Sequence, residues 1–343
     1  MSRFTRWLVE IAASSGNLRD PYRSKELPFA TLKMDLQNTI TEPFVKILNF
    51  HNDFNRHIKL SVGALEFWKA SAMAAANGIS MTLPTGSEPW GATHLKNPKD
   101  ATEKTEAFIA ELGIVRAASA FEDYISGADA ELNRAKPNPD AVVADSSHAR
   151  LMARLRIDRA AITNLLTVAE FFIVARNCIV HRSGRASSEL AALSANESFR
   201  KALATTPKRK GKWRVSIPLV EAGIPVSWQP RHAIMASDAF FKLAQALDDQ
   251  LVESLSAVGI VRMAAYWCFF DTNPAPCVAK RDAQTMIRSQ LADRYSVNDA
   301  SEGETIAHLK SIGKWDACLK EYVRRFPNGG RVRDQKKSAG KKK

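Results

Sequence analysis

Glycine is scarce, at 16 residues in 343, and the chain is instead rich in Ala, Leu, Glu, Lys and Arg. Few of its residues resist a helix, so the composition predicts a mainly helical protein. Cysteine is scarcer still. Cys178, Cys268, Cys277 and Cys318 include no Cys-X-X-Cys pair, so the spacing indicates neither a zinc site nor a disulfide framework and fits a reducing cytosol. No long hydrophobic run is evident. The most apolar stretch, "GIVRMAAYWCFF", is too short for a bilayer and carries Arg262 in its midst. The opening "MSRFTRWLVEIAASSG" is basic, but its apolar part is short and interrupted by Glu10, unlike a signal peptide. A cytoplasmic protein with no membrane partner is expected.

Several motifs are also missing. There is no Gly-X-Ser-X-Gly, no Walker loop, no Gly-X-Gly-X-X-Gly and no His-Glu-X-X-His. Nucleophile-elbow hydrolase, NTPase, dinucleotide and zinc-peptidase readings therefore lack support. In "HNDFNRH", His51 and His57 are six residues apart and would leave a helix on separate faces, which disfavours a metal site. Neither a metal nor a cofactor is predicted.

What is present is enough chain for one large or two modest domains, with 45% hydrophobic residues to supply a core. The formal charge is +13. The tail "GGRVRDQKKSAGKKK" contributes seven Lys or Arg against one Asp and reads as a disordered basic arm. It suits a polyanion such as nucleic acid, or serves solubility alone.

Residues 35–78 read as helix interrupted near Pro43, and 80–100 as a long loop. A long helix follows over about 101–133, with Ile114, Ala118, Phe121 and Ile125 on one apolar stripe. Residues 149–183 are helical, divided near Ile157–Asp158 and stopped at Ser183–Gly184. "SSELAALSANESFRKAL" gives a short helix. "KWRVSIPLV" and "GIPVSW" suggest a small β-hairpin, weakened by Pro218 and Pro225. Helix resumes from Arg231 to about Phe270, and two or three shorter helices occupy 279–326. There is no internal repeat.

The stretch "FFIVARNCIVHRSGR", residues 171–185, places Arg176, Asn177 and His181 near the end of an apolar helix. On a helical wheel Val168, Phe172, Ala175 and Ile179 form the core stripe, with Phe171 and Cys178 beside it. Glu170, Asn177 and His181 form a second stripe. Leu166, Ile173 and Val180 run next to it at heptad spacing. This second face is an apolar seam carrying specific polar groups, and it calls for a partner. Arg176 reaches the same region from the seam's edge.

A histidine that titrates near neutral pH, an arginine that holds a phosphate and an orienting amide are the parts of acid–base phosphodiester chemistry. RNA brings its own nucleophile, the 2′-hydroxyl, so no metal is needed. Cleavage needs both a base and an acid, and two copies packed about a two-fold axis would supply two His and two Arg to one cleft. A homodimer is therefore expected. The ordinary alternative is that Arg176 and His181 only complement the negative end of a helix dipole.

Arg176, Asn177 and His181 resemble the Arg-X4–6-His motif of HEPN domains, and "RNCIVHRSG" is similar to its prokaryotic form. The helices "ELGIVRAASAFEDYI" and "RHAIMASDAFFKLAQALDDQLVESL" also resemble helices of that bundle, so the likeness covers roughly residues 101–257. It implies an up-and-down helical bundle with a small β-hairpin insertion and extra helical segments at both ends. The division expected is 1–100 as a helical N-terminal extension, 101–257 as the bundle, 258–328 as a small helical segment and 329–343 as the basic tail.

The resemblance also implies a metal-independent endoribonuclease with Arg176 and His181 as catalytic pair, acting as a toxin or phage-defence effector. An antitoxin or inhibitor protein would be its partner. Some members keep the fold without the activity, which leaves a non-catalytic RNA-binding or interaction module as the alternative. The family often places an acidic residue on the earlier helix, which makes Glu122 a supporting residue beside Asn177; Glu170 competes for that role. Arg182 and Arg185 at the cleft mouth, and Lys208, Arg209, Lys210 and Lys212 of "PKRKGKWR", would hold RNA phosphates, or form a merely solvated basic loop.

Overall fold

The computed structural model describes residues 34, 36–74, 81–83, 93–95, 97–135, 146–205, 216–271 and 282–327. These are mainly helical. In chain order they form α1 (Glu42–Ala74), β1 (Met81–Leu83), β2 (Thr93–Leu95), α2 (Pro98–Ala135), α3 (Ser147–Leu155) and α4 (Arg159–Arg182). Then come α5 (Ser188–Ala195), α6 (Glu197–Thr205), α7 (Pro230–Phe269), α8 (Ala283–Tyr295), α9 (Glu302–Ser311) and α10 (Trp315–Arg325).

Most helix limits have a local cause. Pro43 does not interrupt α1, because it lies in the first turn, where a helix has no use for the missing N–H. The division expected near Ile157–Asp158 is present. Arg156 turns the chain with a positive φ, and the Asp158 carboxylate caps α4 by accepting from the Ala160 N–H. At its other end α4 stops where Ser183 adopts a left-handed conformation and Gly184 follows with φ 76°. The single helix expected over 187–203 is two, since Asn196 leaves the helical region and its side chain caps the next helix at Ser198 and Phe199. Helix α7 is interrupted at Ser256, with φ 59° and ψ 172°.

One expectation about strands is corrected, and a second falls partly outside the described residues. Part of the stretch read as a loop over 80–100 pairs as a short antiparallel ribbon, Met81–Leu83 with Thr93–Leu95. The hairpin expected across Lys212–Trp228 falls partly outside the described residues. Its described part, 216–228, has no strand-to-strand ladder of its own. Instead the Gly223 N–H donates to Ala186, the Ala186 N–H to Ile224 and the Val226 N–H to Gly184.

The chain divides into two compact units, each drawn from separated stretches. The first comprises the described parts of Met1–Glu42, Gly127–Leu155 and Asp248–Lys343, and the second Pro43–Ser126 and Arg156–Leu247. These bounds do not coincide with the expected division at 100/101 and 257/258, which α2 and α7 each run across. The expected basic tail, 329–343, lies outside the described residues.

In the second unit, Phe121 stacks on Phe240 at 5.1 Å, and Phe171 stacks on Phe199 at 4.4 Å with Trp228 edge-on at 6.3 Å. Ile114, Ala118, Phe121 and Ile125 are all buried, as their spacing predicts. Each large side chain so buried contributes about 1.5–3 kcal/mol. Gly113 lets α2 approach α7: a Cβ there would lie 2.6 Å from that of Ala233.

In the first unit, the Thr41 N–H and hydroxyl donate to the Asp248 carboxylate at 3.1 and 2.5 Å. The buried Glu131 carboxylate accepts from Tyr295 at 2.7 Å and from Trp267 at 3.2 Å. Arg134 and Arg294 each lie over the Trp267 ring, and Arg294 pairs with Glu42.

Cys178, Cys268 and Cys318 are buried free thiols. By length and composition, α4 and α7 could each cross a bilayer, which corrects the expectation that no apolar run is long enough. Most of the apolar window of α7 is buried inside the protein.

Candidate functional site

Helix α4 directs its apolar face into the second unit. Val168, Phe171, Phe172, Ala175 and Cys178 are buried there, and Ile179 is half-buried. The opposite face grades from buried Leu166 through half-buried Ile173 to Val180, which is 48% exposed. Asn177 and His181 are exposed on this face.

Arg176 is braced from two sides. Its Nη1 donates to the Asn177 carboxamide oxygen at 3.0 Å, and its Nη2 to the Glu122 carboxylate on α2 at 3.3 Å. The pair is partly shielded, with side-chain exposures of 24% for Arg176 and 52% for Glu122. The Arg176 Nε is buried and has no acceptor among the described residues.

His181 makes no hydrogen bond or ion pair among the described residues. It opens onto a cleft of about 380 Å³, which Asn177, Cys178, Arg182, Ser187 and Glu189 also line. Asn177 thus links the two halves of the site: it holds Arg176 and faces the His181 cleft.

Of the residues expected from sequence, Arg176, Asn177 and Glu122 meet, and Asn177, His181 and Arg182 share the cleft. Glu170 touches neither Arg176 nor His181 among the described residues, because it stands about two helical turns before Asn177. Burial raises its carboxyl above the usual range, and Arg159 opposes that rise. Arg185 is exposed, and its Nη1 donates to the Gly223 carbonyl at 3.1 Å. It therefore fixes the returning segment besides facing solvent. Lys208, Arg209, Lys210 and Lys212 lie outside the described residues.

Three residues at the site were not expected. Ser187 caps α5 by accepting from the Leu190 N–H at 3.0 Å, and the Cys178 thiol lies 3.5 Å from its hydroxyl. Glu189 follows in the first turn of α5 and brings a carboxylate into the cleft. Glu111 sits beneath the turn after His181, where its Oε1 would be 3.0 Å from a Cβ at Gly184. Burial raises the Glu111 carboxyl above its ordinary range. A signal for Glu111 existed: it precedes Glu122 by eleven residues, which puts both acids on one face of α2.

No group of three or more His, Cys, Asp or Glu gathers to hold a metal among the described residues. Compared with known proteins, the chain matches no family model, no curated protein and no solved structure.

Proposed function

We propose that this protein is a metal-independent endoribonuclease of HEPN type. The observation that carries the reading is an exposed His181, free of partners among the described residues, one turn beyond the Asn177 that braces Arg176. An unengaged imidazole over a polar cleft is available to move a proton, and an arginine fixed by a carboxylate and an amide is pre-oriented to meet a phosphate.

In this reading, His181 takes the proton of an RNA 2′-hydroxyl. The 2′-oxygen attacks the adjacent phosphorus while Arg176 offsets charge on the non-bridging oxygens. The bond from phosphorus to the 5′-oxygen breaks, and that oxygen takes a proton from His181 of a second copy. The products are a 2′,3′-cyclic phosphate and a 5′-hydroxyl. The dimer, a toxin or phage-defence role, an inhibitor protein as partner and a cytoplasmic location belong to the same proposal.

The Arg176–Glu122 ion pair also suits a second reading, a non-catalytic RNA-binding or interaction module in which the pair only joins α2 to α4. Incubating total RNA with purified protein in EDTA, beside His181→Ala, separates the two. Cleavage by the wild type and not by the folded variant supports the nuclease. RNA binding without cleavage, weakening steeply with salt, supports the module.

A further inference from the structure

Helices α1 and α2 meet within the second unit at Gly113. A Cβ there would lie 3.2 Å from the Phe54 ring and 3.3 Å from the Ile58 Cδ1. At that contact the two helices border a cleft of about 410 Å³. Its α1 wall is apolar: Phe50 stacks on Phe54 at 5.2 Å, and Ile58 follows one turn later. Ile109 and Leu112 line it from α2. Leu112 is 49% exposed, so the rest of the chain does not close over this apolar surface. A concave, mostly apolar surface of this size with a few polar groups has the usual form of a small-molecule site.

The charged groups of the cleft are not balanced. Arg116 and His57 line it, and neither has a hydrogen bond or ion pair among the described residues. Asp53 lines it too, but its carboxylate already accepts from the Arg56 guanidinium at 2.6 Å. What remains is a guanidinium without a counter-charge and an imidazole with its bonds open, both beside aromatic and aliphatic side chains. The planar guanidinium offers paired N–H donors, which match the two oxygens of a carboxylate.

We infer that this cleft binds a small amphipathic acid, with its apolar chain or ring against Phe50, Phe54 and Ile109 and its carboxylate on Arg116 and His57. Removing the apolar part from water supplies affinity, and Arg116 selects the charge. A neutral molecule of the same shape gains only the first of these, and a cation is repelled by Arg116. The cleft shares no lining residue with that of His181, so the site stands whether or not RNA is cleaved there.

The test is calorimetric titration of the full chain with octanoate and with phenylacetate, beside octanol and octylammonium. At least one of the two acids should saturate at one molecule per chain, and the tighter of them identifies the apolar part. Octanol and octylammonium should bind at least about tenfold more weakly, the value of one charge-assisted hydrogen bond. Arg116→Gln should weaken binding of the acid by the same factor and leave the thermal midpoint unchanged, because Arg116 is exposed. Leu112→Trp should obstruct the cleft and block every probe. The inference is overturned if neither acid saturates at one molecule per chain, or if octanol or octylammonium binds as tightly as the acid. It is also overturned if Arg116→Gln or Leu112→Trp binds the acid as wild type does, for the acid then sits elsewhere.

Discussion

Glu131 in the first unit and His181 in the second are both ionisable groups near aromatic or apolar helix faces, and they are treated in opposite ways. Glu131 is buried, and each of its oxygens has a donor, Tyr295 on one and Trp267 on the other. His181 is exposed and has no partner among the described residues, although Asn177, Arg182 and Glu189 surround its cleft. A group whose bonds are complete specifies structure. A group held in place with its bonds open is available to a ligand. The contrast separates two polar constellations that composition alone would rank together.

The largest effect expected is on that open group. His181→Ala should reduce RNA cleavage by about 10²- to 10⁴-fold and leave the thermal midpoint unchanged. Cleavage assays in EDTA beside a melting curve check it, and an equal loss of both would erase the contrast. Next, Glu131→Ala should cost roughly 3–5 kcal/mol of stability, because Tyr295 and Trp267 lose their acceptor and Arg294 loses a counter-charge. Urea unfolding of the full chain measures this, and cleavage below the transition should persist.

Deeply buried groups of the two units should also respond to pH in opposite directions. Burial raises Glu131 to about 7, against the pull of Tyr295 and Arg294, and raises Asp248 to about 6, against that of Thr41. For an acid raised by folding, the cost is absent below the unfolded value, grows as pH rises and is complete above the folded value. Burial lowers His232 in the second unit to about 4, against the Ser216 carbonyl. For a base lowered by folding, the cost is absent above the unfolded value near 6.5 and grows as pH falls. Between pH 4 and 7, Glu131 and Asp248 therefore weaken the first unit as pH rises, and His232 weakens the second as it falls, each of these groups contributing about 3 kcal/mol at the end of its range. Equilibration at pH 5 or 7 followed by a hydrogen-exchange pulse at one fixed pH reads the units separately. Glu131→Gln should flatten the response of α8; an unchanged slope there would rule out Glu131 as its source.

The smallest effect sharpens the same comparison. Glu122→Gln should change stability by less than about 1 kcal/mol, since the pair with Arg176 is half-exposed. It should nevertheless lower cleavage by about tenfold, because Arg176 loses a brace that sets its direction. Denaturant titration and initial rates on one RNA substrate suffice to check both.

Much of the second unit was legible in the sequence. The stripe of Ile114, Ala118, Phe121 and Ile125 fixed the buried face of α2, and the stripe through Phe172 and Ala175 fixed that of α4. The stop at Ser183–Gly184 followed from local conformation. Arg176, Asn177 and His181 could be placed at one helix end because their spacing in one helix is set by its pitch. Glu170 lies apart from the other two of its stripe for the complementary reason: sharing a stripe on a wheel fixes direction but not distance along the axis, and two turns separate it from Asn177. Alternation tells which side chains turn inward but not which backbone receives the hydrogen bonds, and Gly223–Val226 bonds to the turn after α4.

The sequence by itself determined what depends on neighbours within a few turns: the helices, their caps, their apolar faces and the Arg176–His181 spacing. Only the tertiary structure decided what depends on distant segments meeting. That includes Glu122 against Arg176 across 54 residues, Tyr295 against Glu131 across 164 and Thr41 against Asp248 across 207. It also includes the return of Gly223–Val226 to the turn after α4. Local steric and hydrogen-bonding rules act at every position independently of the rest of the chain. Which donor meets which acceptor across a core is set by how the apolar faces pack, and the packing fixes those partners only when the helices close together.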